Sequence, residues 1–515
     1  MGKLKVLLRG SAFRSIDALV AICIGFLTLP FLNKYLGNEL YGMWVLISSV
    51  TGLMYLFDMG FASAVIQKIS SYINTRNYPK VNSVISTALC IYSILGLIIA
   101  IVTVGIACFY HPDLKGLVTS TNFKIIILLS GLAIAFEFPC KAFAGLVAAH
   151  HRFDLIATYS MVFKVLSATA LMLSLWLGYK ILMVAILSFV FSILSSLAFV
   201  YVAYYVYRDM KISAKLITAD MFHELFGFSA WAFLIDVNNI VKNRIDVFCI
   251  GAFVSLSAVA TYYASVRLVD YTLQLLYKML GITLPTLTGH AAAGDNDKFR
   301  EDLLLINRIN TYAFAFAFIF YVYAGKSILY YWLGNNFDYQ TGYIVLAILA
   351  FGRISGLAVD GYITSLYAKS KHRIMTVTGF FETIFTALML FVTLSVLKMG
   401  VVFAALSIAV PLVISKLVLL PLLSKKQLDL AHYGALMAMS FRPLMLLVPC
   451  LALLFITNPL LPVLTWGRIV VGILLAVIVV VFMIFEIQSR EKALIAQITM
   501  VLLGSVNRLY ARGNQ

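Results

Sequence analysis

Acidic side chains are scarce in this sequence, and no long polar stretch exists to hold them. Asp and Glu number 22 in 515 residues against 39 Lys and Arg, and charged residues make up only 12%. Connections between apolar runs are short throughout, which excludes an inserted soluble domain. With 62% hydrophobic residues and a mean hydropathy of +0.97, a soluble protein is excluded altogether. The six cysteines (Cys23, Cys90, Cys108, Cys140, Cys249, Cys450) stand apart inside apolar runs, without metal-ligand spacing, and read as small hydrophobes. The seven histidines fall at loops or run ends. There is no Walker loop, dinucleotide fingerprint or metal motif, so neither ATP hydrolysis nor a cofactor is expected. A net charge of +17 would suit nucleic acid. Its distribution excludes that partner, because most Lys and Arg lie in alternate loops.

What is present is a succession of about fourteen apolar runs, each long enough to cross about 30 Å of hydrocarbon. They cover 16–36, 41–66, 82–110, 123–149, 155–178, 181–206, 224–253, 258–286, 305–332, 341–367, 373–397, 400–423, 439–457 and 467–486. The fold class is therefore an all-α polytopic membrane protein. One set of loops, with the two chain ends, carries roughly 23 Lys and Arg against 6 on the other side. By the positive-inside rule both termini and the 287–304 loop are expected in the cytoplasm. No small-x-small site follows Lys3, Lys5, Arg9 and Arg14, so the first run is expected to act as an uncleaved start-transfer anchor. Tyr201, Tyr204, Tyr205 and Tyr207 suit an inner interface, and Tyr330, Tyr331 and Trp332 an outer one. Pro30, Pro139, Pro285 and Pro411 interrupt runs and are expected to kink them.

The seventh and eighth runs echo the first and second: an apolar helix, a short break, a tyrosine, another apolar helix. Six runs per unit is an even number, so two such units would be parallel repeats about an axis along the membrane normal. The expected divisions are an N-terminal lobe at 1–221, a C-terminal lobe at 222–424, two further helices at 425–486, and a tail at 487–515. That tail repeats Leu494, Ile495, Ile498, Val501, Leu502, Val506 and Leu509 at helical spacing and reads as a helix on the inner membrane surface.

The stretch from Pro30 to Lys80 organises the chain. A polar break at Asn33–Glu39 separates two runs, and the second carries Leu56-Phe57-Asp58-Met59-Gly60 before a basic loop with Lys68, Arg76 and Lys80. A carboxylate as deep as Asp58 costs about 2.5–3.5 kcal/mol on insertion scales, so it marks a function or an ion pair. Trp44, Ser48, Thr51, Tyr55 and Asp58 share one helical stripe. Leu36-Gly37, Tyr41-Gly42, Trp44 and Asp58-x-Gly60, followed by a small-residue helix and a basic loop, resemble the start of the polysaccharide-repeat flippases. These export lipid-linked oligosaccharides and belong to the multidrug/oligosaccharidyl-lipid/polysaccharide exporter superfamily. The resemblance implies two lobes, with the first, second, seventh and eighth helices lining a central cavity.

About ten cations fall at or near membrane depth: Lys141, Lys164, Lys242, Arg244, Arg267, Lys278, Arg308, Lys326, Arg353 and Lys416. In lipid they would cost roughly 25–35 kcal/mol, more than a fold's net stability. Most must pair, face a wet cavity or snorkel. Arg267, Asp270, Gln274 and Lys278 lie on one face of the eighth run, flanked by Tyr263 and Tyr271. Asp236, Asn239, Asn243 and Asp246 form a stripe on the seventh, with Lys242 and Arg244 beside it. Arg353 and Asp360 share a face of the tenth, and Thr378, Glu382, Thr386 and Thr393 align on the eleventh. On the first run Asp17 and Thr28 stand alone. Glu137 and Lys141 have the spacing of a self-satisfying i, i+4 pair, and Lys326 and Lys416 are expected to snorkel.

The expected function is a flippase that carries an oligosaccharide on polyprenyl pyrophosphate from the inner to the outer leaflet by alternating access. Arg267, Asp270, Gln274, Lys278, Lys242, Arg244, Arg353 and Asp58 are the expected cavity and substrate residues, since cations suit a phosphate. Asp58, Asp236 and Glu382 are the acids available to a coupling cation, H+ or Na+. The alternative is an ion-coupled small-molecule exporter or a peptidoglycan-precursor flippase of the same superfamily. A membrane glycosyltransferase or polymerase would need a larger outer loop than the dozen residues available. The resemblance implies the bacterial cytoplasmic membrane as location, and as partners the membrane lipid, the lipid-linked substrate, and polysaccharide polymerase and chain-length proteins.

Overall fold

The computed structural model describes residues 2–58, 60–109, 116–280, 284–369, 371, 373–428, 441–457 and 466–486. The described residues form helices and their connections, with no strand. Ten helices among them are long and apolar enough to cross a membrane, so the chain is a multi-pass membrane protein. The expected tail helix at 487–515 lies outside the described residues.

The distance from ten to fourteen has particular causes. The first two expected runs fall in one stretch, Ala12–Asp58, of 47 residues. At 1.5 Å per residue this reaches about 70 Å, more than twice the hydrocarbon thickness. It is broken at Gly37, whose φ of 79° and ψ of 166° only glycine adopts readily, inside the expected polar break. The expected runs at 224–253, 258–286 and 439–457 are not among the ten. The first of these is two helices, Ala219–Lys242 and Ile245–Phe253, separated at Asn243-Arg244. The second is Leu256–Leu280, whose Arg267, Asp270 and Lys278 lower its apolarity. The third is described from residue 441 onward, as a 3-10 turn Arg442–Leu446 and the helix Leu447–Thr457.

The chain divides into two compact units, residues 1–251 and 252–515. In the first, α1 (Gly2–Gly52) passes through a 3-10 turn, Leu53–Asp58, into α2 (Phe61–Asn74). It continues with α3 (Tyr78–Phe109), α4 (Ser120–Ala149), α5 (Phe153–Trp176), α6 (Ile181–Val206), α7 (Ala219–Lys242) and α8 (Ile245–Phe253). Helix α7, which the sequence assigns to the C-terminal lobe, packs here with α2, α3 and the 3-10 turn. Thr119 and Thr218 start α4 and α7 by accepting from the backbone N–H groups of Asn122 and Met221, both at 3.3 Å. The core is aliphatic and aromatic, with Phe61, Ile69, Ile85, Tyr92, Phe138 and Leu146 almost fully enclosed.

The basic loops of this unit gather at one end. Arg14 lies 3.5 Å above the ring of Phe153, and Tyr207 stacks with Tyr78 and meets His150 at a tilt. The backbone N–H of Lys211 donates to Asn82 Oδ1 at 3.2 Å. Lys68 pairs with Glu224, whose carboxylate also accepts from the Tyr72 hydroxyl.

The second unit begins with α9 (Leu256–Leu280), α10 (Leu284–Ala293) and α11 (Asn296–Leu333). Asp295 caps α11, accepting from Lys298 N at 3.1 Å, and Gly334 ends it at φ 82°. Helix α12 (Tyr339–Leu349) runs through a π turn, Ala350–Ile354, and a 3-10 turn, Ser355–Val359, into α13 (Asp360–Ala368). Two more π turns, Phe391–Val396 and Ile414–Leu419, follow α14 (Arg373–Leu390) and α15 (Val401–Val413). After α16 (Leu420–Gln427) come α17 (Leu447–Thr457) and α18 (Trp466–Glu486). Trp466, at the start of α18, stacks at 4.6 Å on Tyr331, at the end of α11, so these helices are antiparallel. The other end holds basic residues: Lys369 sits over the Phe299 ring and donates to the Leu428 carbonyl.

Candidate functional site

Each unit brings membrane-depth charges together, and the partners differ from those expected along the sequence. In the first unit the site forms where α1 gives way to the 3-10 turn. Side chains three apart eclipse in a 3-10 helix, so Tyr55 and Asp58 line up. Gly60, at φ 74°, turns the chain into α2, and Asp58 Oδ1 accepts from the Ala62 N–H at 3.2 Å. The free N–H groups and partial positive charge of a helix start favour a carboxylate there.

Lys141 on α4 donates to Asp58 Oδ2 at 2.6 Å, and Tyr92 on α3 donates to Oδ1 at 3.0 Å. Glu137 instead accepts from the Tyr55 hydroxyl at 2.8 Å. The expected Glu137–Lys141 pair is thus replaced by two longer-range partners. Pro139 is the local reason for close packing here. It lacks an N–H, so the Ala135 carbonyl loses its helical partner. Gly96 on α3 packs against that carbonyl, and a Cβ on it would lie 2.5 Å from the oxygen.

Arg244 stands in the break between α7 and α8. Its guanidinium rests on Gly52, where a Cβ would meet Cζ at 2.9 Å, and it lies within electrostatic range of Tyr55. Among the described residues Arg244 makes no ion pair. Lys242 is half-buried, and Asp246 is 3% exposed on the next helix. The stripe expected from Asp236 to Asp246 is therefore cut at Asn243-Arg244. The side chain of Asp236 lies outside the described residues. Asp17, which stood alone on the first run, pairs with Lys164 on α5 at 2.8 Å.

In the second unit Asp270 on α9 accepts from Arg353 Nη1 at 2.9 Å. Arg267 donates to the Tyr263 hydroxyl one turn back and lies over that ring, 4.5 Å from its centroid. Gln274 and Lys278 are exposed further along the same helix, and Lys278 has no ion pair among the described residues. Arg353 sits in a π turn and Asp360 just after a 3-10 turn, so the 100° spacing behind their expected shared face does not hold between them. Asp360 lies within electrostatic range of Lys416, which packs beside Gly356 rather than only snorkelling. The α14 stripe faces protein: Glu382 is 1% exposed and Thr378 and Thr386 are buried. Thr378 accepts at its carbonyl from Ser415 Oγ at 3.0 Å, and the Thr393 hydroxyl bonds that of Ser407 at 2.9 Å.

Sequence reasoning missed Tyr92, Phe138 and Gly52 as members of the first group. Tyr92 lies in a run with no polar periodicity to mark it, and Phe138 stands beside a Glu137–Lys141 spacing that reads as a local pair. Gly52 and Gly60, bracketing Leu53–Met59, were the available signal.

Comparison with known proteins follows the same direction. Residues 7–289 match the family described as polysaccharide biosynthesis protein. A candidate O-antigen transporter of Shigella flexneri is 22% identical over 425 residues, covering 80% of this chain and 96% of that protein. Among solved structures the fold is similar to the lipid II flippase MurJ in an inward closed conformation, with a TM-score of 0.66 at 14% identity. That match covers 92% of this chain and 98% of the other. An inward-facing multidrug resistance MATE family transporter of the MOP superfamily gives a TM-score of 0.58 at 13% identity, covering 82% and 98%.

Proposed function

Because the chain belongs to the polysaccharide biosynthesis protein family, we propose that it moves a polyprenyl-pyrophosphate-linked oligosaccharide from the inner to the outer leaflet. One observation carries this reading. The acids Asp17, Asp58 and Asp270 each hold an ion pair with a cation on another element, whereas Arg244 and Lys278 hold none among the described residues. Cations at membrane depth without acidic partners favour an anionic substrate, and a pyrophosphate offers several oxygens to a guanidinium. Two separate candidates are proposed to hold it, Arg244 in the first unit and Arg267 with Lys278 on α9 in the second. The finer architecture proposed with this function is fourteen spans, as two six-helix lobes and two further helices, working by alternating access. Location in the cytoplasmic membrane with both termini inside belongs to the same proposal, as do polymerase and chain-length proteins as partners. A coupling cation at Asp236 or Glu382 is a further element of it.

The test is extraction and mass measurement of carrier lipids from cells lacking the protein, with an impermeant lectin or glycosidase reporting sidedness. A complete lipid-linked repeat should accumulate facing the cytoplasm, while surface polysaccharide is lost. A truncated sugar would point to a glycosyltransferase, and single repeats displayed outside to a polymerase. Unchanged polysaccharide with accumulated peptidoglycan precursor, or with sensitivity to cationic dyes, would identify the other transporters. The complete repeat exposed outside, in cells with no second flippase, would overturn the proposal.

A further inference from the structure

We propose that Asp58, Tyr92, Tyr55 and Phe138 form a cage for an alkylammonium ion, which the chain fills with its own Lys141. The geometry exceeds that of a simple ion pair. The Lys141 ammonium is 2.6 Å from Asp58 Oδ2. It is also 4.3 Å from the ring centroid of Phe138 and 4.8 Å from that of Tyr55. Both rings lie within the distance at which an aromatic face attracts a cation. Recognition of organic ammonium ions uses this combination of a carboxylate with aromatic faces.

The walls are held by contacts that do not involve the ammonium. Asp58 is oriented by Tyr92 at 3.0 Å and by the Ala62 N–H at 3.2 Å. Tyr92 and Phe138 are almost fully enclosed and meet edge to face at 6.1 Å. Tyr55 is fixed through its hydroxyl on Glu137 at 2.8 Å and by its ring against Phe138. Truncating Lys141 therefore leaves the cage standing, with its carboxylate aimed at the vacated place. Lys141 and Asp58 keep 19% and 18% exposure, so a small amine has access. Ring faces suit an alkylammonium better than a bare metal cation, which requires a shell of oxygens. Filled by a tethered ammonium, the cage is closed to free cations, so Asp58 is not the site of a coupling cation. This inference stands apart from the identity of the transported lipid.

The experiment uses the full chain carrying Lys141→Ala, expressed and purified in ethylammonium chloride or in sodium chloride at equal concentration. Ethylammonium is one carbon shorter than the segment removed, which leaves room for an unbonded guest. Yield of monodisperse protein and thermal midpoint are read for this variant, for the parent, and for the double variant Asp58→Asn, Lys141→Met. In ethylammonium the single variant should gain yield, or rise in midpoint by roughly 2 °C or more. The parent, whose cage is full, and the double variant, which has no carboxylate, should not respond. The proposal is overturned if the single variant ignores ethylammonium, responds equally to sodium, or yields no monodisperse protein in either salt. A parent response as large as the variant's would also overturn it.

Discussion

The guanidinium of Arg244 lies against the backbone of Gly52, with the place of a glycine methyl 2.9 Å from Cζ and 3.0 Å from Nε. The atoms it would strike belong to the far end of a flexible side chain. Gly52→Ala should therefore leave the fold intact and push the guanidinium aside. If Arg244 binds the substrate phosphate, transport should fall by about tenfold to a hundredfold, the worth of one charged hydrogen bond. Protein abundance should stay near the parental level. Adding Arg244→Lys, whose slimmer head clears the methyl, should recover part of the loss. Transport by Gly52→Ala at the parental rate would remove Arg244 from the site.

Gly96 is a contrasting glycine. A Cβ there would lie 2.5 Å from the Ala135 carbonyl oxygen, which is backbone and cannot swing away. Gly96→Ala should separate α3 from α4 and destabilise the first unit by about 1–3 kcal/mol, as overpacking does. The expected readout is reduced yield and a lower thermal midpoint, without rescue from any substitution at Arg244. Parental stability would show that the helices part freely at this crossing.

The Asp270–Arg353 pair links α9 to a π turn, and its side chains keep 24% and 16% exposure. Asp270→Ala removes the carboxylate that faces the Arg353 guanidinium and should destabilise by about 2–4 kcal/mol, the partial exposure reducing the effect. Exchanging the two residues should restore more stability than either single change retains. A double-mutant cycle on thermal midpoints measures the coupling. A coupling near zero would show that the pair does not hold α9 to the π turn.

Asp295 begins α11 in the 287–304 loop, where a hydrogen bond from Lys298 holds its carboxyl below the usual range. By the positive-inside rule the basic residues around it predict a cytoplasmic loop. Asp295→Cys, in a background without native cysteines, should react with a permeant thiol reagent and not with an impermeant one added outside intact cells. Labelling from outside would invert the topology.

Loss of Lys141 has a different consequence from the one its spacing suggests. The residue orphaned in Lys141→Met is Asp58, because Glu137 already has the Tyr55 hydroxyl. Asp58→Asn should therefore restore much of the abundance lost in Lys141→Met, whereas Glu137→Gln should not. Rescue by Glu137→Gln alone would return the pair to one helix turn.

Apolar runs, the break at Gly37 and the family resemblance were all legible in the sequence. These depend on hydrophobicity and charge summed along the chain, or on a local glycine, and need no knowledge of neighbours. The same sequence also marked Asp58, Asp270 and Arg353 as residues out of place in lipid. Which partner each one meets was decided only by tertiary structure. Asp58 finds Lys141 and Asp17 finds Lys164 across separations of 83 and 147 residues. Periodicity also assumes an unbroken α-helix, whereas the chain changes pitch at Leu53–Asp58 and Ala350–Val359 and stops at Asn243-Arg244. Each change rotates the side chains that follow it, so a face read at 100° per residue is redirected. The sequence therefore determined which residues need partners. Helix crossings and the turns between them determined who the partners are, because an ion pair is set by distance in space.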